Sequence, residues 1–344
     1  MQTDLTQAMK SLPQEPDVYN QMRWDGRSRG HHESWILTLS QANTGAGFRI
    51  RYALLVPERG EITVQVSLAS FVPGRTNTNV AIARTFPVEH LSWTNEPFWL
   101  EMGPCSIEPG RMTGMLDGGG AVAFWDLLYQ GVTDPLLNLP KGLYRSQARP
   151  WLILTPYPFM LIGGKIQIGD HQFMLNGDPG QQEHFWGSRY PVEWIWFHCS
   201  SFLEESGEPV PAYIAGVTMQ DLIFGRFMRR PESFGHLVWR EKHIALNPAT
   251  PWQDRRQGRW QWKGLLGHEH VTAILSLLFQ EAVLEEYRDP SWRPSYCHHS
   301  EIADCSLQFQ ASGQPARSYR SRGMAYAEIG SFRADSQTPR RLAF

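Results

Sequence analysis

The residues best equipped for chemistry fall in one run, G-D-P-G-Q-Q-E-H-F-W-G-S-R-Y-P-V-E-W-I-W-F-H-C, spanning 177 to 199. It gathers Glu183 and Glu193, His184 and His198, Arg189, and the indoles of Trp186, Trp194 and Trp196 into what reads as a turn leading into a strand. Protonating a carbon–carbon double bond requires a carboxylic acid kept neutral by apolar surroundings, and the cation so formed must be sheltered from stray water. Aromatic faces stabilise such a cation. Glu183, beside His184 and near Trp186, Trp194 and Trp196, has these residue types, with His184 placed to take a proton from an attacking water. The same side chains also describe a buried polar knot in which His184, Trp186 and Arg189 tie two parts of the chain together, each polar group satisfied by turn backbone.

Two further places concentrate polar groups. In H-H-E-S-W, residues 31 to 35, alternation puts Glu33 and Trp35 on one strand face and His32 and Ser34 on the other. Glu33 is then a second carboxylate reaching a cavity, or the partner of Arg49 or Arg51 at a barrel end. In A-F-W-D-L-L-Y, Asp126 interrupts an apolar run, and a buried carboxylate is costly unless paired or protonated. It is a functional acid or one half of a strand-to-strand salt bridge, the bridge being the commoner arrangement. G-H-E-H (267 to 270) and C-H-H-S-E (297 to 301) concentrate ligand types without H-E-x-x-H or C-x-x-C spacing, so no metal is expected. The sequence has no P-loop or G-x-G-x-x-G, which leaves nucleotide triphosphatase and dinucleotide-binding readings without support.

The elements that position these groups are strands. In E-I-T-V-Q-V-S-L, Ile62, Val64, Val66 and Leu68 share one face, and Glu61, Thr63, Gln65 and Ser67 the other. F-R-I-R-Y-A-L-L-V repeats the alternation, with Phe48, Ile50 and Tyr52 opposite Arg49 and Arg51, and P-E-R-G turns it into the next strand as a hairpin. About a dozen similar runs follow, separated by Gly- and Pro-rich intervals such as L-D-G-G-G-A and L-N-L-P-K-G. The chain is therefore all-β and antiparallel, with enough strands for two barrels or sandwiches. Helix is expected only at the amino terminus and, as an alternative to strand, in S-L-L-F-Q-E-A-V-L-E-E-Y. Residues 131 to 150 read as a long crossing loop, and the domain boundary falls near the turn at 176 to 192.

At 344 residues, with 42% hydrophobic and 19% charged residues, the chain is long enough for two cores. A formal charge of −2 gives no electrostatic reason to expect nucleic acid, and the short basic stretches near Arg229 and at P-R-R-L do not change that. No apolar run suits a membrane span, so no stable membrane insertion is expected. Fourteen Trp, eleven Tyr and seventeen Phe either fill barrel cores or line a pocket for an apolar ligand. Cys105, Cys199, Cys297 and Cys305 lack C-x-x-C spacing and follow a polar amino terminus, which points to reduced thiols and a cytoplasmic protein.

Three segments together carry a family resemblance: Y-N-Q-M-R-W-D-G-R-S-R-G-H-H-E-S-W-I-L-T-L with the F-R-I-R-Y-A-L-L-V-P strand; A-F-W-D-L-L-Y-Q with L-T-P-Y-P; and G-Q-Q-E-H-F-W-G with W-I-W-F-H-C. The chain resembles the tandem lipocalin-like superfamily of carotenoid 1,2-hydratase (hydroxyneurosporene synthase), AttH-like proteins, tocopherol cyclase and fungal Diels–Alderases, over roughly residues 18 to 335. The resemblance implies two lipocalin-like antiparallel β-barrels packed side by side, at 18–180 and 181–335, with an apolar isoprenoid- or polyketide-like molecule held in a cavity or at their interface. It also implies hydration, cyclisation or templating without a cofactor, and His184 and Trp186 match the His-x-Trp of its hydratase-like members. Those members share a Tyr-x-Asp element. The comparable strand here, A-Y-I-A-G, keeps Tyr213 but has Ala215 where the acid would stand.

The expected catalytic set is Glu183, His184, Asp126 and Tyr213. Glu33, Trp35, Trp186, Arg189, Trp194, Trp196 and His198 are expected to line a hydrophobic small molecule. A non-catalytic carrier of the same fold, and an interaction module whose barrels are filled by their own aromatics, are the competing readings.

Overall fold

The computed structural model describes residues 18–332, apart from 75–78, 119, 146–148, 208, 224–226 and 241. The amino-terminal helix expected from the sequence and the basic tail lie outside the described residues.

The first sheet contains β1 (His31–Ser40), β2 (Gly47–Val56), β3 (Thr63–Phe71), β4 (Val80–Pro87), β5 (Leu91–Asn95), β6 (Phe98–Met102), β7 (Cys105–Glu108), β8 (Arg111–Gly118), β9 (Ala121–Gly131), β10 (Trp151–Ile168) and β11 (His171–Gly187). The chain meanders from neighbour to neighbour and curls until β11 pairs with β1, which leaves β4 and β5 as the sheet's edges. Alternate residues therefore converge on one interior, where Trp35, Phe48, Tyr52, Trp125 and their neighbours form a packed core. Each buried indole removes roughly 150–250 Å² from water, a contribution of several kcal/mol. In β10 the two prolines of T-P-Y-P cannot donate ladder bonds, and register shifts occur there, between Leu154 and Met160. Between β9 and β10, the expected crossing loop holds one short helix, α1 (Lys141–Arg145).

The second sheet contains β12 (Glu193–Cys199), β13 (Phe202–Leu203), β14 (Pro209–Val210), β15 (Ala212–Gln220), β18 (Glu232–Trp239), β19 (Lys242–Pro248), β20 (Arg259–Leu266), β21 (Glu269–Ser276), β22 (Val283–Arg288), β23 (Pro294–Gln310) and β24 (Arg317–Ser331). A small two-stranded ribbon, β16 (Leu222–Ile223) with β17 (Phe227–Met228), projects between β15 and β18. Pairing runs β24-β12-β15-β18-β19-β20-β21-β23 and back from β23 to β24, a closed antiparallel ring. Closure removes the free edges that invite aggregation. The segment read as helix or strand is a single 3-10 turn, Phe279–Glu281, followed by β22.

The protein is thus two antiparallel β-barrels, with the chain passing from one to the other between Gly187 and Glu193. The division expected between residues 180 and 181 falls inside β11. The stretch read as a turn is the second half of a 17-residue strand. β23 lies against β1, β2 and β3, and an aromatic cluster that includes Phe185, Tyr190, Trp194, Trp196 and Tyr326 joins the barrels.

Candidate active site between the barrels

β1 and the second half of β11 are buried on both faces, so period two sorts their side chains into two environments. Glu33, Trp35, Leu37 and Leu39 point into the first barrel's side of the sheet. His32, Ser34, Ile36, Thr38 and Ser40 point toward the second barrel and line, in that order, three adjoining cavities. On β11, Glu183 sits opposite Ile36 and His184 opposite Trp35. Neighbours in sequence, Glu183 and His184 therefore occupy opposite faces and do not act on one another.

On the first-barrel face, Glu33 is fully occupied. Its carboxylate accepts from His184 Nε2 at 2.7 Å, His31 Nε2 at 2.9 Å, Arg23 N–H at 2.7 Å and Trp24 N–H at 3.0 Å. These bonds outweigh its burial and bring the carboxyl down to about 2, with His184 the largest favourable partner. His184 Nδ1 lies 2.7 Å from the Tyr19 carbonyl, so each ring nitrogen has an oxygen partner. Trp35 stacks on His184 at 4.9 Å and donates to the Asn20 carbonyl. Trp186 packs on the other side of His184 with Arg23 over its ring. The cluster pins the segment before β1 across the barrel, and Met22 and Trp24 of that segment join the core. Glu33 pairs with neither Arg49 nor Arg51, because those guanidinium groups point to the opposite face of β2.

That opposite face carries a different chemistry. Glu183 is 3% exposed, accepts from Trp196 Nε1 at 2.5 Å and Gln181 Nε2 at 2.6 Å, and among the described residues has no Lys or Arg within ion-pair range; the His198 imidazole lies 3.8 Å away. Burial, with Glu328 adding like charge, pushes its carboxyl well above the usual range, so it holds its proton where a surface glutamate is ionised. Glu328 accepts from Trp194 Nε1 at 2.5 Å, from Cys297 at 3.2 Å and from Tyr326. Gly330 makes this possible, since a Cβ there would lie 2.0 Å from the Trp194 ring.

Glu285 takes the nearby positive charge. Arg49 donates to it at 2.6 Å and to Tyr287 at 2.8 Å, while Arg51 approaches it at 3.8 Å and donates to Ser34 and Tyr190. Despite burial, Arg49 above all holds the Glu285 carboxyl far below the usual range. Two carboxyls in one interface are thereby pushed apart, one neutral and one ionised, as acid and structural counter-ion require.

Glu183 and Glu328 line a small chamber of about 40 Å³ together with Ile153, Phe185, Trp194, Trp196 and Met219. Arg51, Tyr190 and Tyr287 separate it from a crevice of about 610 Å³ lined by Leu54, Leu55, Leu284, Trp292 and Tyr296. The Tyr190 and Tyr287 rings stack at 5.4 Å and Arg51 lies 4.4 Å above Tyr287. His32, also on the crevice, is sandwiched against Phe185 and Tyr190, and burial lowers it to about 3. The barrel-1 interior is packed; the second barrel keeps a cavity of about 250 Å³ lined by Trp252, Trp260 and Trp262.

The structure brings Glu183, Trp194, Trp196 and His198 together on the interface face. Tyr213 is buried beside Glu183 on the outer face of β15, its hydroxyl lacking a well-formed hydrogen bond. His184, Glu33, Trp35 and Trp186 are separated from them by the sheet. Arg189 lies at the corner near Asp221, its N–H bonded to the Pro150 carbonyl. Asp126 is remote from both clusters: it faces solvent on β9 and pairs with Arg111 at 3.2 Å, the strand-to-strand bridge rather than an acid. Among the described residues no three His, Cys, Asp or Glu side chains come together as metal ligands. Sequence reasoning missed Glu285, Tyr287, Tyr326 and Glu328 as site residues. The signal was present in M-A-Y-A-E-I, where Tyr326 and Glu328 share a face between small and apolar residues of the barrel core.

Solved structures share this architecture. The protein CghA covers 93% of this chain and 93% of its own at TM-score 0.61 and 10% identity. A kievitone hydratase from Nectria haematococca covers 87% and 88% at TM-score 0.50 and 12% identity, and a structure described as an AttH protein from Nitrosomonas europaea covers 92% and 97% at TM-score 0.50 and 11% identity. At 10–12% identity the likeness to these structures is one of fold. No family model matches the sequence, and no curated protein does. Among the described residues no helix is long and apolar enough to cross a membrane.

Proposed function

We propose that the protein admits an apolar, isoprenoid- or polyketide-like molecule into the crevice between its barrels and hydrates or cyclises it, with Glu183 as the proton donor. The observation that carries this reading is a carboxyl kept protonated by burial among indoles, in a chamber of about 40 Å³ that shares the Arg51, Tyr190 and Tyr287 wall with a crevice of about 610 Å³. The chamber beside Glu183 has room for the reacting end only, so the bulk of the molecule stays over the leucines and Trp292 of the crevice. Proton transfer from Glu183 to an alkene carbon forms the new C–H bond and leaves the carbocation between Trp194, Trp196 and Tyr190, with Glu328 nearby. In hydration, water adds to the cation and its extra proton returns to the Glu183 carboxylate. In cyclisation, a second double bond closes onto the cation and the lost proton returns to the same group. Neither route consumes a cofactor. The resemblance to hydratases and cyclases of this fold supports the reading, as does the kievitone hydratase among the similar structures.

The test is native mass spectrometry of the wild type and Glu183→Gln purified from their own host. The variant is expected to retain a hydrophobic molecule that the wild type holds only as its hydrated or cyclised product. The same unaltered molecule on both proteins would make this a carrier of the same fold, and no molecule on either would remove the reading.

A further inference from the structure

The cavities along the second-barrel face of β1 have two ends. The crevice lies at His32, the acid chamber at Ser34 and Ile36, and a third cavity at Thr38 and Ser40. From His32 to Ser40 the strand advances eight residues, or about 26 Å, so the third cavity is not a branch of the crevice. It measures about 10 Å³, and Thr38, Ser40, His198, Ser200, Ser201 and Glu301 give it a polar wall beside Leu39, Pro179 and Met324. That is close to the least space a single water occupies, and such a water needs two to four polar partners.

Two observations show that this wall has unused polar capacity. Glu301 is 2% exposed, and neither carboxylate oxygen has a hydrogen bond; its nearest charge is His299, at 3.4 Å. His198 stands between this cavity and Glu183: Nε2 lies 2.8 Å from Thr38 Oγ1 and 3.8 Å from Glu183 Oε1, with the ring stacked on Tyr326 at 5.0 Å. A shift of roughly 1 Å brings the imidazole within hydrogen-bond range of the carboxyl. The ring is uncharged, since burial lowers it to about 3, so it carries one N–H, which Nε2 can give and regain.

We propose that His198 is a positioning and relay residue that connects the Glu183 carboxyl to solvent protons through the Thr38–Ser40–Ser200–Ser201 seam, from the end of the interface remote from the substrate crevice. The proton given up at Nε2 goes to the Glu183 carboxylate. Thr38 Oγ1, which lies on the same nitrogen, replaces that proton at Nε2 and takes one in turn from the seam water, which regains one from solvent through Ser200 and Ser201. No electron transfer and no second reactant is involved. The arrangement lets the acid be reloaded while the crevice is filled with apolar substrate. It rests on the reading of Glu183 as a protonated acid.

Infrared spectroscopy in H2O and after transfer to D2O tests it without a substrate. The carboxyl C=O band that disappears in Glu183→Gln identifies the group. In His198→Phe, which preserves the stack on Tyr326, and in Thr38→Val, the band is expected to remain while its shift on deuteration slows at least tenfold, with Thr38→Ser restoring the wild-type rate. Unchanged exchange rates in folded His198→Phe and Thr38→Val proteins would overturn the relay. Absence of any band lost in Glu183→Gln would instead overturn the proposed acid itself.

Discussion

The two faces of the β1–β11 ribbon hold the same residue types and put them to opposite uses. On the first-barrel face, Glu33 meets four donors, and both ring nitrogens of His184 have oxygen partners. On the second-barrel face, Glu183 meets an indole and an amide, with no guanidinium closing on it. The complete set of partners ionises one carboxyl; the incomplete set leaves the other protonated. A saturated buried acid is a fastening, and an unsaturated one retains a proton to give.

The contrast can be broken most forcefully at Glu183. Glu183→Gln is expected to lower turnover by about 10²–10⁴-fold, the usual worth of a general acid, while leaving ligand affinity nearly intact. Its stability should respond in a characteristic direction. The folded carboxyl keeps its proton above 4.5, where the unfolded chain has lost it, so wild-type stability falls as pH rises from there. Urea unfolding of the variant should therefore show a gain over wild type that grows from about pH 5 to about pH 8.

The fastening face predicts the reverse. His184→Ala leaves Glu33 buried without its main partner and should cost about 3–5 kcal/mol in chemical denaturation. The ionised Glu33 stabilises the fold above 4.5, and this is lost as pH falls toward 2. Glu33→Gln should consequently be less stable at neutral pH and flatter in that acid window. Gly330→Ala, which drives a Cβ into the Trp194 ring, should cost about 1–3 kcal/mol and shift Trp194 fluorescence. Asp126→Asn removes a solvent-exposed ion pair and should change stability by about 0.5 kcal/mol or less.

Much of the architecture was legible in local patterns. The alternation of Phe48, Ile50 and Tyr52 with Arg49 and Arg51 marks β2, and the all-β, two-barrel organisation followed from a succession of such runs. What alternation cannot show is a second barrel docked on the outer face. Arg49 and Arg51 stand opposite the apolar face of β2, yet they are buried because Glu285, Tyr287 and Tyr190 meet them. The same docking explains why the site was only half visible. Glu183 and the indoles of Trp194 and Trp196 were identifiable from their types, but reading residues 177–187 as a turn placed His184 beside Glu183 when the pleat sets them apart. Glu328 and Glu285 lie more than 100 positions farther along the chain, and only the fold brings them to Glu183 and Arg49.

The protonation state of Glu183 is the most direct test. Infrared spectra of the wild type at neutral pH should contain a protonated-carboxyl C=O band that is absent from Glu183→Gln and retained in Glu33→Gln. A spectrum in which Glu183→Gln removes only carboxylate absorption would contradict the account, because the interface would then hold an ionised glutamate with no proton to deliver.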